Sequence, residues 1–213
     1  MSDYRDYLWT EDWAFFTSDG YCLALVGNST PDDVLSKLSA LNDRLTVTGA
    51  HNAFTAGYDL GERHGVDGDR RQLAAVADAG NGWTIMTQAP GYLGISEISM
   101  GRIVIDHEVV AHGANRFVWW SGGAQRISFE PLLPQSDLLG VLADRQPEES
   151  RTYIVGLIDE VGGIDLTETP GREFHHVAGS FALAERLTGI RITPELLTLS
   201  TFTVAIAPHD ASN

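Results

Sequence analysis

Arg102-Ile103-Val104-Ile105-Asp106-His107-Glu108-Val109-Val110-Ala111, then Arg116-Phe117-Val118-Trp119-Trp120, then Gln125-Arg126-Ile127-Ser128-Phe129 is the stretch that decides the fold. Each run is short, rich in β-branched and aromatic residues, and bounded by turn formers, which is the pattern of strands. Gly122-Gly123 between the last two supplies the positive-φ positions of a two-residue hairpin. Gly113-Ala114-Asn115 reads as a second turn. Connections this short force antiparallel pairing.

Working outward, Trp83 to Thr87 adds a fourth strand, and Tyr21 to Val26 a buried one between Gly20 and Gly27. Thr201 to Ala207 reads as the last strand. Thr30 caps a helix that begins with Pro31-Asp32-Asp33 and turns Val34, Leu35, Leu38 and Leu41 to one side. The same device recurs at Thr193-Pro194-Glu195. Residues 46 to 58 look extended. Asp67-Gly68-Asp69 reads as a turn, and Asp69 is placed to cap a helix over Arg70 to Ala79 with Gly80 as its stop. Pro147-Glu148-Glu149 opens a helix to about Val161, ended by Gly162-Gly163, and a long helix is expected from Arg172 to Thr188, stopped at Gly189. These elements predict an α+β fold: an antiparallel sheet of about five or six strands with helices packed mainly on one face. Residues 1–213 are expected to form a single domain, with 1–20 an aromatic N-terminal arm (Tyr4, Tyr7, Trp9, Trp13) and 208–213 a frayed tail.

The 213 residues are 43% hydrophobic and 20% charged, which suits a packed core and argues against disorder. With Cys22 the single cysteine, an internal disulfide and a cysteine-rich zinc site are both excluded. The N-terminus lacks a secretory pattern, and the apolar runs are too short to cross a bilayer, so a cytoplasmic location is expected. The formal charge is −15. There are 13 acids against 6 bases before residue 81, 4 against 3 from 81 to 130, and 12 against 5 after it. Such a surface repels nucleic acid and anionic membranes. The near-neutral middle segment is expected to form the heart of the sheet.

Gly20 to Val26 with Thr30 to Leu35, Gly82-Trp83-Thr84-Ile85, Asn115 to Trp119 through Ile127 to Pro131, and Ala184 to Gly189 with Thr193-Pro194-Glu195 stand in this order along the chain. Together they resemble an uncharacterised actinobacterial domain-of-unknown-function family (DUF6461-like). The single lysine, Lys37, against thirteen arginines fits a high-GC source of that kind. The resemblance supports the architecture and carries no activity.

His107-Glu108-Val109-Val110-Ala111-His112 is a near miss to the zinc-protease H-E-x-x-H: its histidines stand at i and i+5, where a helical site needs i and i+4. On a strand they point to opposite faces. Alternation groups Ile103, Ile105, His107, Val109 and Ala111 on an apolar face, where a histidine is commonly structural. Asp106, Glu108, Val110 and His112 share the other. There Asp106 and Glu108 stand about 7 Å apart along the strand. That spacing suits an acid and a base flanking a small substrate, and solvation of a polar sheet face accounts for it as well. Arg116, Trp119, Trp120 and Trp83 are candidate binding residues, one of the adjacent tryptophans facing each side. Cys22, within an apolar strand, reads as a buried thiol. His175 and His176 fall on the polar side of their helix.

No metal site and no cofactor is expected. The function expected first is a non-catalytic ligand- or protein-binding domain. The alternative is a small cofactor-independent enzyme of the cyclase or isomerase type from secondary metabolism, with Asp106, Glu108 and His107 as the catalytic set. Expected partners are a small molecule or a protein, a homodimer included.

Overall fold

The computed structural model describes residues 2–13, 21–65, 71–88, 102–109, 114–167 and 174–208, with the backbone alone at 71–72, 102–109, 114 and 208. Among the described residues, eight strands form one sheet: β1 Tyr21–Gly27, β2 Arg44–Thr48, β3 Arg71–Gly80, β4 Trp83–Gln88, β5 Arg102–Val109, β6 Ala114–Ser121, β7 Ala124–Phe129 and β8 Thr201–Pro208. Their order is β2-β8-β3-β4-β1-β5-β6-β7, and every neighbouring pair is antiparallel. The helices are α1 Trp9–Asp12, α2 Pro31–Lys37, α3 Ala50–Arg63, α4 Pro134–Leu138, α5 Glu148–Val161, α6 His176–Thr188 and α7 Pro194–Leu199. The chain is therefore α+β, as its pattern implied, with a wider sheet than five or six strands.

All seven residues of β1 are buried, because it lies inside the sheet and both its faces are covered. Its odd positions Tyr21, Leu23 and Leu25 join the larger core, shared with α3, α5, α6 and α7. Its even positions Cys22, Ala24 and Val26 join a smaller core with Val34, Leu35 and Leu38 from α2 and its C-cap. Most of the helical cover is thus on one face.

Local chemistry explains the elements that were foreseen. Thr30 and Asp33 form a reciprocal capping box at α2, with Pro31 in the first turn. Gly122 and Gly123 both take positive φ (64° and 74°) in the β6–β7 hairpin. Gly189 ends α6 in the left-handed conformation.

Other expectations are corrected. Arg70–Ala79 is not a helix: residues 71–80 form β3, paired with β8 and β4. Helix propensity there loses to burial, since Ala74, Ala75, Val76 and Ala77 are sealed on both faces of the sheet. Of residues 46–58, only those up to Thr48 are extended, and α3 begins at Ala50. Its inward stripe is Ala53, Gly57 and Leu60, a helical spacing that the β-branched and aromatic neighbours had masked. The long helix starts at His176, with Phe174 and His175 before it. Ala114 and Asn115 belong to β6, not to a turn. The near-neutral block reaches the middle of the sheet only through β4, and its β5, β6 and β7 run out to one end of it. Asp67-Gly68-Asp69, the tail from 209, residues 110–113 with His112, and 14–20 of the arm lie outside the described residues.

The edge strand β7 is closed by a side chain. Ser128 N–H donates to Gln146 Oε1 at 3.1 Å, and Gln146 Nε2 donates back to the Ser128 carbonyl at 2.6 Å. The amide satisfies the edge as another strand would.

Candidate functional site

Register decides which candidates can meet. One row crosses the whole sheet: Leu45, Val204, Ala75, Thr87, Leu23, Asp106, Phe117 and Phe129. The next row on the same face joins Tyr21, Glu108 and Asn115. Leu23, Tyr21, Phe117 and Asn115 are 3%, 2%, 0% and 6% exposed. Positions 106 and 108 therefore belong to the helix-covered face, with buried residues on both flanks.

His107 lies in a different row, with Gln88, Cys22 and Arg116. That row is on the side of the smaller core, since Cys22 is part of it. The register thus separates His107 from Asp106 and Glu108, and Arg116 follows His107. The Arg116 guanidinium pairs with Asp137 at 3.2 Å, and the same carboxylate accepts the Glu130 N–H at 2.9 Å, tying β6 to α4 and the end of β7.

The tryptophans divide as alternation requires. Trp119 packs on the larger core with its ring 6.0 Å from Tyr153 of α5. Trp120 packs on the smaller core, and its buried Nε1 meets no hydrogen-bond partner. Trp83 is buried in the larger core and lies over Gly27, where a Cβ would stand about 3.0 Å from its ring. Cys22 is a buried thiol outside any disulfide.

Residues that the pattern did not single out complete the picture. Neither amide atom of Asn115 meets a hydrogen-bond partner, although the residue is buried. The same holds for the hydroxyls of Thr87, in the row of Asp106, and Ser180, in α6. A buried group left unpaired costs about 1–3 kcal/mol, so such a set in one helix-covered layer requires an explanation. Asn115 sits directly across from position 108, the closest neighbour relation a sheet offers. Its sequence signal was a polar amide in a strand whose next inward residue is Phe117, and the turn reading of Gly113-Ala114-Asn115 hid it.

An aromatic wall stands at this end of the sheet. Phe181 of α6 lies 6.0 Å from Tyr21, 5.9 Å from Tyr7 and 6.1 Å from Trp9, and Trp9 lies 5.3 Å from Trp13. The described part of the arm is fixed along α6. Tyr7 Oη donates to Glu185 at 2.6 Å, Ser2 Oγ to the same carboxylate at 2.9 Å, and the Tyr4 ring stacks 5.1 Å from that of His175. Burial, and then the Glu185 carboxylate, push the Tyr7 phenol well above its ordinary pKa.

A separate surface pocket of about 350 Å³ lies between Asp3, Tyr4 and Arg5 and the end of α5 at Asp159 to Gly163, and of the aromatic and candidate site residues the sequence singled out only Tyr4, of the aromatic arm, is among these. Among the described residues, no group of three His, Cys, Asp or Glu side chains could hold a metal ion. No helix among them is long and apolar enough to cross a membrane.

No curated protein and no solved structure matches the chain. A family model does match, over residues 1–212, so the eight-stranded sheet and its helix-covered polar rows are those of a member of DUF6461, a family of unknown function.

Proposed function

We propose that the chain is a non-catalytic binding domain that holds a small polar molecule on the helix-covered face of the sheet, around Asn115 and the positions of Asp106 and Glu108. The observation that carries this reading is the buried Asn115 amide with neither atom hydrogen-bonded. A ligand that completes those bonds offsets their desolvation, whereas an apolar residue would be the more stable choice for a purely structural site. Trp83 and Trp119 pack on the same larger core as that face, and Arg116 and Trp120 belong to the opposite one. The single buried cysteine and the arginine bias support a cytoplasmic, actinobacterial setting.

The test is native mass spectrometry of the purified protein beside Asn115→Leu, with a thermal melt of each. The reading expects a retained small molecule in the parent and none in the variant, while the variant is more stable than the parent stripped of that molecule by about 1–2 kcal/mol. A variant that loses stability with no change in bound mass would show that Asn115 is structural.

One observation favours a second reading, a cofactor-independent acid–base enzyme. Positions 106 and 108, an aspartate and a glutamate, share one face by register two residues apart, which supports an acid–base pair. If the retained molecule is converted by the parent, and Asp106→Asn with Glu108→Gln still binds it without converting it, that reading replaces the first.

A further inference from the structure

Resting on the small-molecule reading above, we propose that the ligand is an uncharged or cationic nitrogen compound whose edge carries a hydrogen-bond donor beside an acceptor, such as a carboxamide, lactam or aminoheterocycle, and that carboxylates and phosphates are refused. An Asn side chain offers one acceptor, Oδ1, and one donor group, Nδ2, side by side. Both lack partners at Asn115, so a ligand that met only one would leave the other buried and unpaired. The two-point complement is an edge with donor and acceptor adjacent, the relation by which an asparagine reads an adenine.

The surroundings narrow the charge. Across the strand stands position 108, a glutamate, and in the next row of that strand position 106, an aspartate. Neither row contains a lysine, an arginine or a histidine. The buried residues of α6 are Ala178 to Ala184 and Leu187, also without a base. Among the described residues of these rows no cation stands, and the chain as a whole carries a net charge of −15, a balance that disfavours an anion. A donor-rich or positively charged compound suits it better. Tyr21 and Phe181, in ring contact at 6.0 Å at the same end of β1, suit a flat body on such a compound.

The test uses the full chain and three probes of one shape: benzamide, with donor and acceptor; acetophenone, with the acceptor alone; and benzoate, an anion with acceptors alone. Binding is read by ligand-observed NMR titration on the parent, on Asn115→Leu and on Asn115→Asp, which keeps the shape but removes the Nδ2 donor. The proposal expects benzamide to bind the parent at least about tenfold more tightly than either other probe, and that preference to vanish in both variants. Two variants are used because one of them must fold for the comparison. Benzoate binding as tightly as benzamide, a preference unchanged in a folded variant, or no binding by any probe overturns the ligand class. If the parent retains a molecule that Asn115→Leu loses, the small-molecule reading survives that failure. If nothing is retained, both fall together.

Discussion

Tyr7 shows how one side chain joins the N-terminal segment to the core. Its ring is fully buried against Phe181, and its hydroxyl reaches Glu185 on the outer part of α6. Burial and then the neighbouring carboxylate both favour the neutral phenol, so its pKa is raised. The sign of the pH dependence follows. An unfolded tyrosine ionises near pH 10, so the stability linked to the neutral form is complete below that value and is lost as pH rises through the higher folded value. Urea unfolding at about pH 8 and about pH 11 should therefore show a loss in the parent that Tyr7→Phe partly escapes. At the lower pH the variant should be weaker by about 1.5–3 kcal/mol, the scale of a hydrogen bond to a charged group. Equal losses with pH in both proteins would assign the effect to another group. The sequence showed Tyr7 as one of four aromatics near the start, but nothing in it named Glu185, which lies 178 positions away. Asn115 escaped for a different reason. Asparagine is a turn former, and its strand begins one residue before it.

Elements were legible where local chemistry and tertiary packing agree. The caps at Thr30 and Thr193, the hairpin glycines and the apolar run of β1 all speak for themselves. They failed at β3, where Ala74 to Ala77 prefer a helix in isolation and are held extended by β4 and β8. Small residues there serve packing, and the same use of small residues appears where α6 crosses the turn after α5. A Cβ on Gly179 would stand 2.8 Å from the Gly162 carbonyl oxygen and 2.9 Å from Ile164 Cγ1. Gly163 answers from the other side, with positive φ and its own Cβ position 2.9 Å from the His175 carbonyl. Backbone lines both contacts, so neither helix can yield without the turn moving. Gly179→Ala would gain about 1 kcal/mol of helix propensity and lose more through overpacking, about 1–3 kcal/mol. The net effect expected in a chemical denaturation curve is destabilisation. Gly156, in α5 with nothing near its Cβ position, is the control, and Gly156→Ala should stabilise by up to about 1 kcal/mol. The contrast between the two alanines checks the helix crossing, and equal effects would refute it.

At the scale of the molecule, the rows of the sheet turn a linear pattern into a site. Alternation along β5 gave two faces from the sequence, and only the pairing with β1 and β6 shows that the face of Asp106 and Glu108 is the one beneath the helices. The polar strand face had looked like a solvated one because strand period alone carries no information on which side is covered. The same whole-chain view applies to charge. The formal charge of −15 opposes compaction, while among the described residues three of the ion pairs that hold opposite charges together have both partners exposed: Arg5 with Asp3, Arg63 with Asp43, Arg191 with Asp6. Exposed pairs contribute little, and salt weakens them only slightly in absolute terms. Screening of the net repulsion should therefore win. Raising sodium chloride from about 0.01 M to about 0.15 M shortens the Debye length from about 30 Å to about 8 Å. A gain of about 1 kcal/mol would appear as a rise of about 2–4 °C in Tm for a chain of this size. A fall in Tm over that range would mean that local pairs outweigh the global field, and the argument against anionic ligands would then have to stand on Asp106 and Glu108 alone.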